Sequence, residues 1–379
     1  MKKQVWRVGK RGALALSAGT IGFLSLPVHA QSSVTLYGII STAVGYVSNQ
    51  NGKSLVGMFS GPLQPPRWGL KGREDLGGGT AAIFTLENGF SIANGALGQG
   101  GKEFGRQAYV GLDNERFGSI TLGRQYDEMS QQLYWSEAAT VFATYFAAHV
   151  GDFDNIFNNT RFNNSVRYAS SSIDGLTFAG QYAFSNSTTG FSDNSGYSFG
   201  VNYARGPLKV GAAMVEMLRP ASTNASGAIN DSYGYTSPFT KSLGQANVDS
   251  QRNISVAASY DFGWINANLS YSNALFNYVD RTGLRLQNVE AMVYHRFAPV
   301  LLAGVGYDYT FGEYSAGRAI HYNQVNAGIV YSLSKRTDLL AAAVFQRAGG
   351  GAQYAQLYNS SPSSSKSVTA VVAGIRVKF

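Results

Sequence analysis

The chain has 379 residues, no cysteine, and 30 Lys and Arg against 22 Asp and Glu, a formal charge of +8. The missing cysteine excludes disulfides, thiolate metal sites and cysteine nucleophiles together. With 45 Gly, 23 Tyr and 22 Phe but only nine Pro, the composition suits many strands joined by tight turns.

Lys2, Lys3, Arg7, Lys10 and Arg11 precede an apolar stretch from Ala13 to Pro27, and Val28-His29-Ala30 supplies a small-residue cleavage site. The stretch carries Gly19 and Gly22, stops at Pro27, and is short of the ~20 residues of a bilayer-spanning helix. Residues 1–30 are therefore expected to be a cleaved secretory signal, leaving residues 31–379 as one domain. Five basic residues leave with the signal and no acidic one does, so the net charge falls from +8 to +3. No clustered basic face remains, and nucleic-acid binding loses its support.

Alternation and turn residues then mark strands at 34–47, 66–74, 80–88, 105–113, 118–126, 161–170, 176–185 and 196–205. Eight more follow at 207–216, 252–262, 264–273, 285–297, 299–311, 321–333, 336–347 and 367–379, sixteen in all. In the tenth, Ile254, Val256, Ala258 and Tyr260 oppose Asn253, Ser255, Ala257 and Ser259. Tight connections such as Glu74 to Gly79, Asn114 to Gly118 and Asp261 to Trp264 interleave with long ones. The long ones begin at Ser48, Ser91, Asp127, Asn186, Met217, Ala274, Gly312 and Ala348. Such parity is expected when hairpin ends of one kind share one side of a membrane, and alternate lipid-facing residues let a membrane protein keep average polarity. The last strand, Ser367 to Phe379, puts Val371, Ile375, Val377 and Phe379 on one face and Arg376 and Lys378 on the other. The reading is all-β: a 16-stranded antiparallel transmembrane barrel.

Val34-Thr35-Leu36-Tyr37-Gly38, Arg67-Trp68-Gly69-Leu70-Lys71-Gly72-Arg73-Glu74-Asp75-Leu76-Gly77, Gly118-Ser119-Ile120-Thr121-Leu122-Gly123-Arg124-Gln125 and Asn164-Ser165-Val166-Arg167-Tyr168 follow in that order. Together with the terminal Phe379 they resemble the general diffusion porins of Gram-negative bacteria, nearest the β-proteobacterial branch. The resemblance spans the mature chain. It implies a homotrimer of barrels set among outer-membrane lipid and lipopolysaccharide, each pore narrowed by an inward-folded third long loop. It also implies Phe379 as the assembly signal for the barrel-assembly machinery, and small hydrophilic solutes and ions as cargo.

The third long connection, roughly Asp127 to Thr160, holds Tyr145, Phe146, Phe153 and Phe157, too many rings for a solvated loop. Folded inward, it would bring Asp127, Asp152 and Asp154 to the passage. On the opposite wall, parity puts Arg67, Lys71 and Arg73 together, and Arg161 and Arg167 with Asn163 and Ser165. Lipid-facing arginine costs on the order of 2–4 kcal/mol at mid-membrane, so these side chains are assigned to the lumen. Arg124 has lipid parity with Ile120 and Leu122, and only a bulge would turn it inward. Ser41 stands where relatives of this branch often carry an acid. The expectation is a constriction of Arg67, Lys71, Arg124, Arg161 and Arg167 facing Asp127, Asp152 and Asp154, with a mild preference for anions.

An enzyme on a barrel would need a Ser–His pair or paired carboxylates at a rim. Beyond the signal only His149, His295 and His321 remain, without H-E-x-x-H, G-x-S-x-G or a nucleotide fingerprint. No catalytic residue and no cofactor is expected. Asp152 and Asp154 alone are a weak signal for Ca²⁺. A substrate-specific channel for sugars or phosphate shares the architecture and stays open as the alternative.

Overall fold

Neighbouring side chains on the long strands fall into two sets, one buried toward the bore and one exposed outside. Between Val248 and Asp261, Gln251, Asn253, Ser255 and Ala257 are buried, whereas Ile254 and Val256 are each 47% exposed. A soluble sheet would hide the aliphatic set, so the exposed one is the lipid face. The computed structural model describes residues 33–220, 222–229, 237–239 and 248–379. The expected signal lies outside the described residues, as do parts of the connection after Leu218.

In chain order the strands are β1 (Ser33–Gln50), β2 (Lys53–Ser60), β3 (Arg67–Gly77), β4 (Thr80–Gly89), β5 (Gln107–Asn114) and β6 (Gly118–Tyr126). Then come β7 (Arg161–Ala169), β8 (Leu176–Ala183), β9 (Ser195–Arg205), β10 (Leu208–Leu218), β11 (Val248–Asp261) and β12 (Asn266–Tyr278). The last five are β13 (Gly283–Ala298), β14 (Leu301–Tyr314), β15 (Ala319–Ser332), β16 (Thr337–Gly350) and β17 (Ser367–Lys378). β1 closes the sheet antiparallel to β17, from Ile39 opposite Lys378 to Val47 opposite Ala370.

Strand β2 is absent from the sequence reading, where a loop was expected to start at Ser48. It is the upper half of a broken stave: β1 pairs with β2 along Thr42 to Val47 and with β3 along Ser33 to Ile39. The seventeen-stranded sheet therefore has sixteen positions around the barrel. Gly61, at φ +71°, and the prolines at 62, 65 and 66 make the break. Proline has no N–H to give a ladder, and the freed Pro62 carbonyl accepts from the Tyr145 amide at 2.8 Å instead.

Two long connections expected at Ala274 and Gly312 are short turns, Val279–Thr282 and Ser315–Arg318. Strands β12 and β14 run on past them because the polarity of the two faces inverts there. Phe276 and Tyr278 point inward and are buried against Phe239, while Asn277 is exposed outside. At the opposite, short-turn end, Phe117, Phe262, Trp264 and Phe297 stand exposed, as an interfacial aromatic girdle requires. The terminal ring of Phe379 lies on the outer face over Gly38, where a Cβ would come within 2.3 Å of it. The two residues exchange backbone hydrogen bonds of 3.0 and 3.1 Å.

Candidate functional site

The segment between β6 and β7 fills much of the bore. It opens with α1 (Glu128–Leu133), whose cap is Asp127 accepting from the Ser130 amide at 3.1 Å. Short helical turns follow, including α2 (Ala138–Val141). Inward-facing side chains of the wall take up its backbone groups. Asn202 donates to Gln132 O at 2.6 Å, Gln251 to Phe153 O at 2.7 Å and Gln324 to Ala147 O at 3.1 Å. Glu290 accepts from the Ala138 amide at 2.8 Å. These contacts reach from β9 round to β15.

Packing sets how firmly the segment stays. Phe142, Tyr145, Phe146, Phe153 and Phe157 are all buried. At about 2 kcal/mol for each buried ring, the five contribute on the order of 10 kcal/mol, an upper estimate but far above thermal energy. Phe142 lies directly on wall backbone: a Cβ at Gly304 would meet its ring at 2.3 Å, and one at Gly328 its carbonyl oxygen at 2.1 Å. Two absent side chains thus let the loop dock.

Part of what stays open lies against β3 to β7. Two cavities of about 420 and 250 Å³ share Arg106 and Asn158, so these residues stand at the neck between them. Arg67 lines the smaller cavity and Arg161 the larger. Arg67 donates to Pro65 O at 3.1 Å, and Arg161 to Asn158 Oδ1 at 3.0 Å and Asn159 O at 3.3 Å. These acceptors are neutral. The guanidiniums of Arg106 and Arg161 lie 5.7 and 4.9 Å from the Tyr126 ring centroid, so the ring braces both.

Arg124 is turned inward. Pairing of β6 with β7 slips between Gly123 and Gln125, and the buried Arg124 side chain donates to Gly105 O at 2.8 Å and to Asn163 Oδ1. The slip is the bulge that simple alternation lacked. Arg106 escaped sequence reasoning for a related reason: its parity matches Val110 and Leu112, which face lipid. It lies just before β5, free of the strand's alternation, and pairs with Glu87 at 2.8 Å. Tyr37 donates to the same carboxylate at 2.9 Å.

The remaining expected residues are elsewhere. Lys71 sits above the Tyr37 ring at 4.6 Å, roughly 13 Å along β3 from Arg67 at ~3.3 Å per residue. Arg167 grips the buried Glu128 in a bidentate pair of 2.5 and 3.1 Å, which makes it an anchor of α1. Asp127, Asp152 and Asp154 do not face the passage; all three are buried. Asp127 holds α1 and Asn155, Asp152 accepts from the Phe157 and Asn159 amides, and Asp154 meets His149 at 2.7 Å. A loop of this kind needs acceptors for its own amides, and the nearest carboxylates supply them. Burial pushes the Asp152 carboxyl well above the usual range, with Asp154 adding to it.

A closed barrel with an apolar outside, a polar inside and a partly filled bore defines a channel-forming outer-membrane protein. Residues 13–351 match the family model described as Gram-negative porin. Outer membrane porin protein 32 of Delftia acidovorans is 30% identical over 92% of this chain and 95% of its own. An outer membrane porin protein of Bordetella pertussis is 33% identical over 69% of this chain and 68% of its own. Among solved structures, the anion-selective porin from Comamonas acidovorans superposes with a TM-score of 0.72 at 25% identity, covering 92% of this chain and 100% of that one. The chain belongs to the Gram-negative porin family. It is an outer-membrane diffusion channel and not an enzyme.

Proposed function

We propose that the protein passes small hydrophilic solutes and ions passively, as a homotrimer, with a mild preference for anions set by Arg67, Arg106, Arg124 and Arg161. The observation that carries this reading is the mismatch of charge at the neck. Arg67 and Arg161 beside the cavities meet neutral acceptors, whereas the loop acids expected to oppose them are buried. Glu87 offsets Arg106, and the positive charge left at Arg67 and Arg161 lowers the energy of a passing anion and raises that of a cation. Lys71 extends the same sign along the wall. The name of the Comamonas acidovorans relative supports the preference, and an outer membrane protein of Vibrio cholerae of like fold is described in a trimer form.

The cut after Ala30, the reading of Phe379 by the barrel-assembly machinery and contact of the exposed loops with lipopolysaccharide belong to the same proposal. The test is a planar-bilayer reversal potential in a KCl gradient. Chloride preference is expected; a clear potassium preference rejects the arginine assignment. Conductance in a graded series of neutral sugars decides between a size-limited sieve and a saturable specific site.

A further inference from the structure

At the short-turn end of the barrel, against β13 to β17, a cavity of about 450 Å³ opens beside Val141 of α2. It shares no lining residue with the two cavities at the neck. Strand register lays down its wall. Arg296 of β13 stands opposite Leu302 of β14, Leu302 opposite Val330 of β15, and Val330 opposite Leu340 of β16. Leu302 and Val330 are buried and Arg296 is exposed, so this row is an apolar patch that ends on a guanidinium. Further along β15 the inward positions carry Gln324 and Asn326, as a wet bore requires. An inward apolar patch at the mouth departs from that rule.

The charges around the patch do not cancel. Arg376 donates to Asp338 Oδ2 at 2.9 and 2.6 Å and to Gln64 Oε1 at 2.9 Å, and Lys378 Nζ lies 3.5 Å from the same carboxylate oxygen. Asp338 is the one acid of the lining, against Arg296, Lys335, Arg376 and Lys378. Arg296 donates to the neutral Pro299 O at 3.2 Å. Among the described residues, no carboxylate lies within 4 Å of Arg296 or of Lys335, on the turn between β15 and β16. Either cation alone would be an ordinary solvated side chain. Set at the rim of an apolar hollow, they complement both halves of an amphipathic anion.

We propose that this cavity binds a small monocarboxylate with an apolar body, of the benzoate type, at the periplasmic exit of the channel. The body lies against Leu302, Val330 and Val141, and the carboxylate is taken by Arg296 and Lys335. A cavity of about 150 Å³ already holds benzene, so ring and carboxylate fit with water to spare. Chloride gains nothing from the apolar patch, and inorganic phosphate would have to shed water against it. The exit thus selects by charge and apolar surface together, whereas the neck sorts by charge. Because the two share no residue, the exit site stands apart from the anion preference assigned to Arg67.

The test is a fluorine NMR titration of the full chain, refolded in detergent, with 4-fluorobenzoate. Saturable line broadening beyond that of empty micelles is expected, with one site per chain. 4-Fluorobenzamide keeps the ring and loses the charge, and trifluoroacetate keeps the charge and loses the ring; each should bind tenfold or more weakly. Arg296→Gln combined with Lys335→Gln should weaken fluorobenzoate tenfold or more, and Arg67→Gln should leave it unchanged. Both exit residues are exposed, so the double variant should fold, as heat-modifiable mobility in gels checks. A folded wild type without saturable binding overturns the proposal. Binding undiminished in the double variant, or lost in Arg67→Gln, puts the anion elsewhere and overturns it equally, as does equal affinity for the amide.

Discussion

Arg67→Glu is the substitution that tests the constriction most directly. A monovalent ion passing about 4 Å from a guanidinium gains or loses about 1 kcal/mol in water-like surroundings and about 4 kcal/mol at an effective dielectric near 20. Reversing the charge doubles that change, so even the weaker case shifts chloride by about 2 kcal/mol, roughly thirtyfold in local occupancy. Potassium moves the other way. The new carboxylate would also compete with Glu87 for Arg106, removing part of a second positive charge from the neck. Salt shortens the Debye length to ~3 Å at 1 M, so the gradient should run at about 0.1 M and below, where it is ~10 Å or more. The reversal potential is expected to move toward the cation limit, with Arg67→Gln about halfway. Unchanged selectivity and conductance in a folded variant would refute the placement of Arg67 at the neck.

Gly328→Val should free the loop, because its Cβ would collide with the Phe142 carbonyl at 2.1 Å; higher conductance with added current noise is expected, and wild-type traces would contradict it. Arg167→Gln leaves the buried Glu128 without its partner, a loss of about 3–5 kcal/mol. Denaturant curves that follow loop fluorescence should show it, and an unshifted midpoint would count against the anchoring role. Phe379→Ala should slow outer-membrane assembly while leaving barrel pores made by refolding intact, as read from the ratio of surface to periplasmic protein. Burial pushes the Asp127 carboxyl up to about 7 from an ordinary 3.8. The folded state therefore binds the extra proton, and the stability linked to burying Asp127 in its neutral form, up to about 4 kcal/mol, is present below pH ~4 and lost as pH rises through ~7, the Ser130 amide bond only partly opposing the shift. Hydrogen exchange at the Ser130 amide, corrected for intrinsic rate, should show less protection at pH 8 than at pH 5; equal protection refutes it.

The barrel was legible wherever a strand alternates between lipid and water, because that contrast is written with period two. From Ile254 to Phe262, and from Val371 to Phe379, the exposed set in the structure is the set read from the sequence. Legibility failed where the inner surface stops being wet. Around Phe276 and Tyr278 the inside is aromatic, so strand β12 looked finished several residues early. Strand β2 was lost because prolines interrupt its stave and loop-like residues surround it. In the site, Arg67 and Arg161 follow parity, but Arg106 and Arg124 sit beside the irregularities that parity cannot see. His149 of the loop meets Glu290 on β13 and Asp308 on β14, each more than a hundred positions away in the chain. No local pattern announces such a meeting.

The fate of the acids explains why the neck is one-signed. A loop threaded through a bore must satisfy its amides without water on every side, and carboxylates accept several hydrogen bonds each. Asp127, Asp152 and Glu290 are spent on that task, through the Ser130, Phe157 and Ala138 amides, while Asp154 and Glu128 are taken up by the His149 ring and the Arg167 guanidinium. Carboxylates committed in this way cannot also face the passage, so the transverse field expected from two opposed walls is replaced by a positive wall facing a mostly neutral loop. A one-signed constriction sorts ions by charge more than it orients dipoles. Anion preference thus follows from how the loop is fastened, and any change that releases an anchoring carboxylate into the passage should weaken it.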